Sequence, residues 1–138
     1  MSSEDAPRGE GVPSGTELAR PFLPTRDFEL SKRFYLALGF DILLDDEVAI
    51  FGAGSGGFLL QRHFHEDWAA NSMMQLMVDD LDAWWEHIQG LDLVSSFGVL
   101  PPKPPALQPW GLRIAYVVDP AGVLWHIAER RSEVLHDR

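Results

Sequence analysis

The chain has 138 residues, 46% of them hydrophobic and 23% charged, and it contains no cysteine. This length and composition predict one globular domain and exclude a disulfide scaffold, a thiolate metal site and a cysteine nucleophile. The 11 basic and 21 acidic residues give a net charge of −10, which disfavours nucleic acid as a partner.

The N-terminal end of the chain is poor in residues that a core would bury. Residues 1–17 are rich in Gly, Pro and Ser, which predicts a flexible N-terminal tail. A single domain is expected over residues 18–130, followed by a C-terminal tail over 131–138. No run approaches the ~18 apolar residues of a membrane span, so no membrane partner is expected. No secretory signal pattern is present, which predicts a cytoplasmic protein.

The domain contains a weak internal repeat, with modules at residues 18–65 and 72–130. Each module begins with a short apolar strand, then an aspartate, an amphipathic helix, a glycine and further strands. An aspartate at this point can cap the free N–H groups of the helix, and the glycine can end the helix in the left-handed conformation. The markers are Asp27 and Asp80 for the caps and Gly39 and Gly90 for the ends.

Apolar runs after each helix predict the remaining strands. They are residues 40–44, 48–51 and 58–64 in the first module, and 93–97, 112–118 and 123–128 in the second. The five prolines of segment 100–109 exclude a central strand and predict a stiff loop that covers a cleft. The expected fold class is α+β, with two tandem βαβββ modules that form a curved mixed sheet with the helices outside.

Two short motifs have competing interpretations. Gly52, Gly54 and Gly57 match GxGxxG, but no helix follows to bind a pyrophosphate, so a hairpin loop is expected.

His63 and His65 would point to one face of a strand. Together with His126 they could bind a divalent metal. Alternatively, the strand ends there and both rings are exposed.

Trp110 follows the proline-rich segment and precedes a glycine. An aromatic ring held over a cleft could stack on a planar or cationic ligand, or it could simply pack against its own loop. Nine of the acidic residues lie between Asp41 and Asp82, with Arg62 as the only base in that stretch. Such a field either keeps the protein soluble or attracts a cationic ligand.

The repeat, the segment TRDFELSKRFYLALGF and the segment PWGLRIAYVVDPAGVLWHIAE resemble the glyoxalase/bleomycin-resistance/dioxygenase superfamily, the vicinal oxygen chelate fold. The resemblance covers about residues 18–130. It implies metal-ligand positions at Arg20, Met73 and His126. Arginine and methionine do not normally bind hard divalent metals, so we expect neither the metal site nor any other cofactor, and no metal-dependent chemistry.

Within that superfamily the chain most resembles the bleomycin-resistance-type binding proteins. The resemblance implies a metal-free homodimer that sequesters a small antibiotic-like ligand, cationic or planar and aromatic. The ligand-binding positions that it implies are Arg20, Leu44, Gln75, Met77, Trp110 and His126. The alternative is a metal-dependent glyoxalase- or dioxygenase-like enzyme with an altered site at His63, His65 and His126. A third hypothesis is a structural or regulatory interaction role.

Overall fold

A computed structural model describes residues 6–130. Residues 1–5 and 131–138 lie outside the described residues, and with them the predicted C-terminal tail and the start of the predicted N-terminal tail. Residues 6–21 form no helix or strand. They contain one turn, in which the hydroxyl of Thr16 donates a hydrogen bond of 2.7 Å to the carbonyl of Pro13.

Eight strands and four helices follow in the order expected of a duplicated module. They are β1 (Phe22–Pro24), α1 (Phe28–Leu38), β2 (Asp41–Asp45), β3 (Ala49–Ala53), β4 (Gly56–Gln61), α2 (Glu66–Ala70), β5 (Met73–Val78), α3 (Leu81–Leu91), α4 (Leu93–Phe97), β6 (Lys103–Leu107), β7 (Arg113–Val118) and β8 (Leu124–Glu129). None of these helices is long and apolar enough to cross a bilayer.

The strands form two four-stranded mixed sheets with the same internal order. The first has the order β1-β4-β3-β2 and the second β5-β8-β7-β6. In each sheet the first strand of the module pairs in parallel with the last, and the other neighbours are antiparallel. The predicted α+β class and the two tandem βαβββ modules are therefore confirmed, each module forming its own sheet.

The helix signals are mostly where the sequence predicts them. Asp27 accepts a hydrogen bond from the N–H of Leu30 at 3.1 Å, and Asp80 accepts one from Ala83 at 3.0 Å. Gly39 ends α1 with φ of 115°, in the left-handed region that glycine adopts without strain.

Gly90 is not the end of the second long helix, and this prediction is wrong. Helix α3 continues to Leu91, and Asp92 takes the left-handed conformation with φ of 52°. Aspartate tolerates that region better than most side chains. The turn at Asp92 leads directly into α4 instead of into a strand.

Three further predictions, a strand at 93–97, a loop at 100–109 and a strand that extends to residue 64, are also wrong. Residues 93–97 form α4, because this places Leu93 and Phe97 four residues apart on one helix face; Leu93 is buried and the Phe97 ring meets the edge of Phe34 at 5.5 Å. The proline-rich segment forms edge strand β6, with an irregular register between Lys103 and Ala106. Prolines are tolerated there because an edge strand leaves some N–H positions unpaired. Strand β4 ends at Gln61, and α2 separates the modules.

The core lies between one face of each sheet and the helices α1, α3 and α4. Tyr35 of α1 is fully buried and contacts the Phe58 ring of the first sheet and the Trp125 ring of the second, with centroids 4.7 and 5.8 Å apart. Its hydroxyl donates to Asp119 Oδ2 at 2.5 Å and accepts from Trp125 Nε1 at 3.0 Å. The two modules therefore share a polar contact inside one aromatic core.

Asp119 holds the β7–β8 turn as well as the tyrosine. Its other oxygen, Oδ1, accepts hydrogen bonds from the N–H groups of Ala121, Gly122 and Val123 at 2.8–2.9 Å. Burial raises the pKa of Asp119, and these hydrogen bonds together with that of Tyr35 offset part of the rise. Burial and the neighbouring Asp119 charge raise the pKa of Tyr35 well above its usual value, so its hydroxyl is protonated and donates at neutral pH.

We expect Tyr35→Phe to lower the free energy of unfolding by about 2 kcal/mol, because it leaves two buried polar atoms without a partner. Denaturant unfolding followed by tryptophan fluorescence measures this. Tyr116→Phe is the matched control, since Tyr116 is half-buried and its hydroxyl makes no hydrogen bond within the described residues. Equal losses in the two variants would contradict the proposed importance of the inter-module contact.

Candidate functional site

The second sheet carries an open pocket on the face opposite the core. The pocket has a volume of about 540 Å³. Its floor is the outer face of β8 and β7, and its walls are the first strand β5, the edge strand β6 and the segment that precedes β6. The lining residues are Met73, Leu100, Pro101, Lys103, Tyr116, Val118, Leu124 and His126.

Strand register explains why these side chains share one face. Met73 pairs with Leu124, and Leu124 with Val118, so three apolar side chains form one row across the sheet. Met73 keeps 64% of its surface exposed, as does Leu100 with 65%. This apolar row can bind a flat nonpolar group without competing polar partners.

A second row crosses the same face and is polar. Gln75 pairs with His126, His126 with Tyr116, and Tyr116 with Lys103. The Tyr116 and His126 rings meet edge to face, with centroids 4.8 Å apart. The Nε2 atom of His126 is shielded from solvent and has no hydrogen-bond partner among the described residues. Such an atom is costly to leave unpaired, and a ligand in the pocket could pair it.

A larger cavity of about 840 Å³ lies between the modules. It is bordered by the glycine-rich β3–β4 hairpin, the end of β5 and the start of α3, with the half-buried ring of Trp84 in its wall. Three carboxylates line it, at Asp41, Asp79 and Asp80. Asp79 pairs with Arg130 at 2.9 Å, and the Nε atom of Arg20 is buried there without a partner.

The structure separates the six ligand-binding positions predicted from the sequence. His126 lines the pocket on the second sheet, whereas Arg20 and Met77 line the larger cavity. Gln75 and Met77 both border a further cavity of about 380 Å³ beside Trp125. Leu44 and Trp110 line none of these three cavities, and Leu44 is 45% exposed on edge strand β2.

Trp110 lies in the tight turn between β6 and β7, not on a long proline loop. The turn is closed by a hydrogen bond of 2.8 Å from the N–H of Gln108 to the carbonyl of Leu112. Trp110 is 59% exposed. Strand β7 begins at Arg113, just after this turn. The pocket residue Tyr116 lies three residues further along β7, about 10 Å away. The ring is thus available to a ligand or a partner that extends beyond the pocket.

Lys103 and Tyr116 line the pocket, although neither is among the ligand-binding positions expected from the sequence. The alternation of side chains along residues 112–118 would place Tyr116 on one face with Val118. No sequence signal gives the register that aligns Tyr116 with His126 and Lys103. That register depends on the bulge in β6.

The residues do not fit the divalent metal of the superfamily. Of the three implied ligand positions, Arg20 lines one cavity and Met73 and His126 line another, and only the histidine offers a suitable donor. The HxH motif is not on a strand: His65 caps α2, its Nδ1 accepting from the N–H of Asp67 at 3.2 Å. Both His63 and His65 are exposed, and residues 6–130 contain no group of three His, Cys, Asp or Glu placed to bind a metal.

Comparison with known proteins assigns the family. The chain is 30% identical over 118 residues to the bleomycin resistance protein of Klebsiella pneumoniae, a match that covers 83% of this chain and 93% of the relative. The chain belongs to the bleomycin resistance protein family. The superfamily resemblance seen in the sequence is thereby confirmed. No protein-family model matches the chain.

Solved structures agree with this assignment. A bleomycin-binding protein crystallised with bleomycin is 30% identical, with a TM-score of 0.69 over 84% of this chain and 100% of that one. A bleomycin resistance determinant encoded on the transposon Tn5 is 28% identical, with a TM-score of 0.65 over 85% of this chain and 100% of that one.

We expect the purified protein to bind no stoichiometric divalent metal, because its donor set does not fit one. Elemental analysis after incubation with zinc, nickel and manganese salts and gel filtration checks this. The expected content is under about 0.1 metal ion per chain, and a value near one would contradict the prediction.

Proposed function

We propose that the protein binds a small molecule of the bleomycin class and sequesters it without chemical change. The observation that carries this proposal is the open pocket of about 540 Å³ on the second sheet, in a fold shared with a bleomycin-binding protein. Binding without chemistry agrees with the residues that line the pocket, because they contain no carboxylate and no metal-ligand set.

The charge distribution supports a ligand that carries a positive group. The net charge is −10, and three carboxylates line the inter-module cavity. Opposite charge raises the rate of encounter more than it raises affinity. A cationic drug would therefore be attracted to the protein as a whole, whichever cavity its positive group finally occupies.

The metal-dependent enzyme is the weaker alternative. It would need His63, His65 and His126 to converge, whereas the first two lie between β4 and α2 and the third lies in the pocket on β8. A purely structural role leaves the open pocket and the unpaired Nε2 of His126 without a purpose.

We also propose that the protein is a two-fold homodimer located in the cytoplasm. Both sheets expose apolar side chains on their outer faces: Phe22 is 49% exposed on β1, Leu44 45% on β2 and Met73 64% on β5. A second copy could cover such faces. Analytical ultracentrifugation at micromolar concentration is the test, and a mass equal to the 15.5 kDa chain would overturn the dimer.

We expect Met73→Arg to weaken the binding of bleomycin at least tenfold, because it fills the pocket rim with a bulky charged group. Isothermal titration calorimetry measures the affinity. Leu36→Arg is the matched control: Leu36 is 49% exposed on α1, outside the pocket lining, and the charge change is identical. Equal affinities for the two variants would overturn the proposed site. No binding of bleomycin by the unmodified protein would overturn the proposed function.

We expect Trp110→Ala to weaken bleomycin binding by roughly two- to thirtyfold, the contribution of one stacking or cation–π contact. The ring is largely exposed, so the free energy of unfolding should change by less than about 0.5 kcal/mol. Leu107→Ala, on the strand that enters the same turn, serves as control. A loss of stability without a loss of affinity would mean that the ring packs against its own turn.

A further inference from the structure

The pocket on the second sheet is electrostatically unlike the rest of the protein. None of its eight lining residues is acidic, and one of them, Lys103, is a cation. Lys103 is exposed and forms no ion pair within residues 6–130, as is also true of five arginines there, whereas Lys32, Arg113 and Arg130 each pair with a carboxylate. In a chain with nearly twice as many acidic as basic residues, a lysine left free at the pocket has no protein group to neutralise it.

The cation belongs to an ordered row. Strand register aligns Gln75, His126, Tyr116 and Lys103 across four neighbouring strands. Their side chains offer an amide N–H, an imidazole N–H, a hydroxyl and an ammonium group, all of which can donate hydrogen bonds. The His126 Nε2 atom is buried and unpaired, which points to a missing partner rather than to a solvated side chain.

The apolar row lies immediately beside this polar row. Met73, Leu124 and Val118 are each two residues from the adjoining member of the polar row, on the same face. Successive residues on one face of a strand are about 7 Å apart. If the aromatic rings of a ligand pack on the apolar row, a substituent on those rings would therefore lie next to the hydrogen-bond donors of the polar row.

We propose that this pocket recognises the anionic or strongly hydrogen-bond-accepting end of an aromatic ligand, with Lys103, Tyr116 and His126 as the recognising residues. The inference rests on the proposed function and specifies the chemistry of the same site. The pocket contains no carboxylate, so a positive group on such a ligand binds outside it.

The test compares two fluorescent probes that share their rings and differ in one group. The probe 8-anilinonaphthalene-1-sulfonate carries a sulfonate, and N-phenyl-1-naphthylamine lacks it. We expect the sulfonate probe to bind roughly tenfold more tightly, which is the effect of one charge-assisted hydrogen bond in a partly enclosed site. Equal affinities, or tighter binding of the neutral probe, would overturn the proposal.

Variants of the pocket residues test whether the preference for the sulfonate probe arises in this pocket. Lys103→Gln should reduce the affinity for the sulfonate probe roughly tenfold, and Tyr116→Phe about threefold, while both leave the neutral probe unchanged. Arg33→Gln is the matched control, since Arg33 is exposed on α1 and the net charge changes equally. A loss in Arg33→Gln as large as in Lys103→Gln, or no loss in Lys103→Gln, would overturn the proposal.

Titration of the same protein with bleomycin tests the proposed function separately from the proposed recognition of an anionic group. If the protein binds bleomycin but has equal affinities for the two probes, the proposed recognition by the polar row is overturned and the proposed function is retained. Selective binding of the sulfonate probe without any bleomycin binding keeps the row and overturns bleomycin as the ligand class.

Discussion

A hydroxyl on the first helix, a carboxylate in the last turn and an indole on the last strand meet in the centre of the molecule. Tyr35 donates to Asp119 and accepts from Trp125, and all three side chains are buried. Burying polar groups is unfavourable unless each is paired. This contact therefore requires the two modules to pack in one relative position, since a shift of either would leave an unpaired group in an apolar core.

That packing also decides which faces of the sheets remain open. The aromatic core covers one face of each sheet, with Phe51 and Phe58 in the first and Trp125 in the second. The opposite faces are left with large exposed side chains such as Met73 and Phe22. The pocket is a direct consequence, because a mixed sheet with helices on one side exposes the strand positions that alternate with the buried ones.

Charge is segregated between the two principal cavities. Three carboxylates and Arg20 line the inter-module cavity, whereas the pocket on the second sheet contains a lysine and no carboxylate. The net charge thus affects how fast a ligand encounters the protein, but it does not determine which groups contact the ligand in the pocket. A cationic drug can be attracted by the whole surface and still be held through a different chemical group.

The sequence by itself determined the module repeat, the aspartate caps and the α+β class, because these depend on local hydrogen bonds and on apolar periodicity. It did not determine that residues 93–97 form a helix or that prolines occupy an edge strand, since both follow from packing against distant residues. The pocket was decided by tertiary structure alone. The alignment of His126 with Tyr116 and Lys103 requires three strands to pair in one register, and that register is set by the shared core and by a bulge that no local pattern encodes.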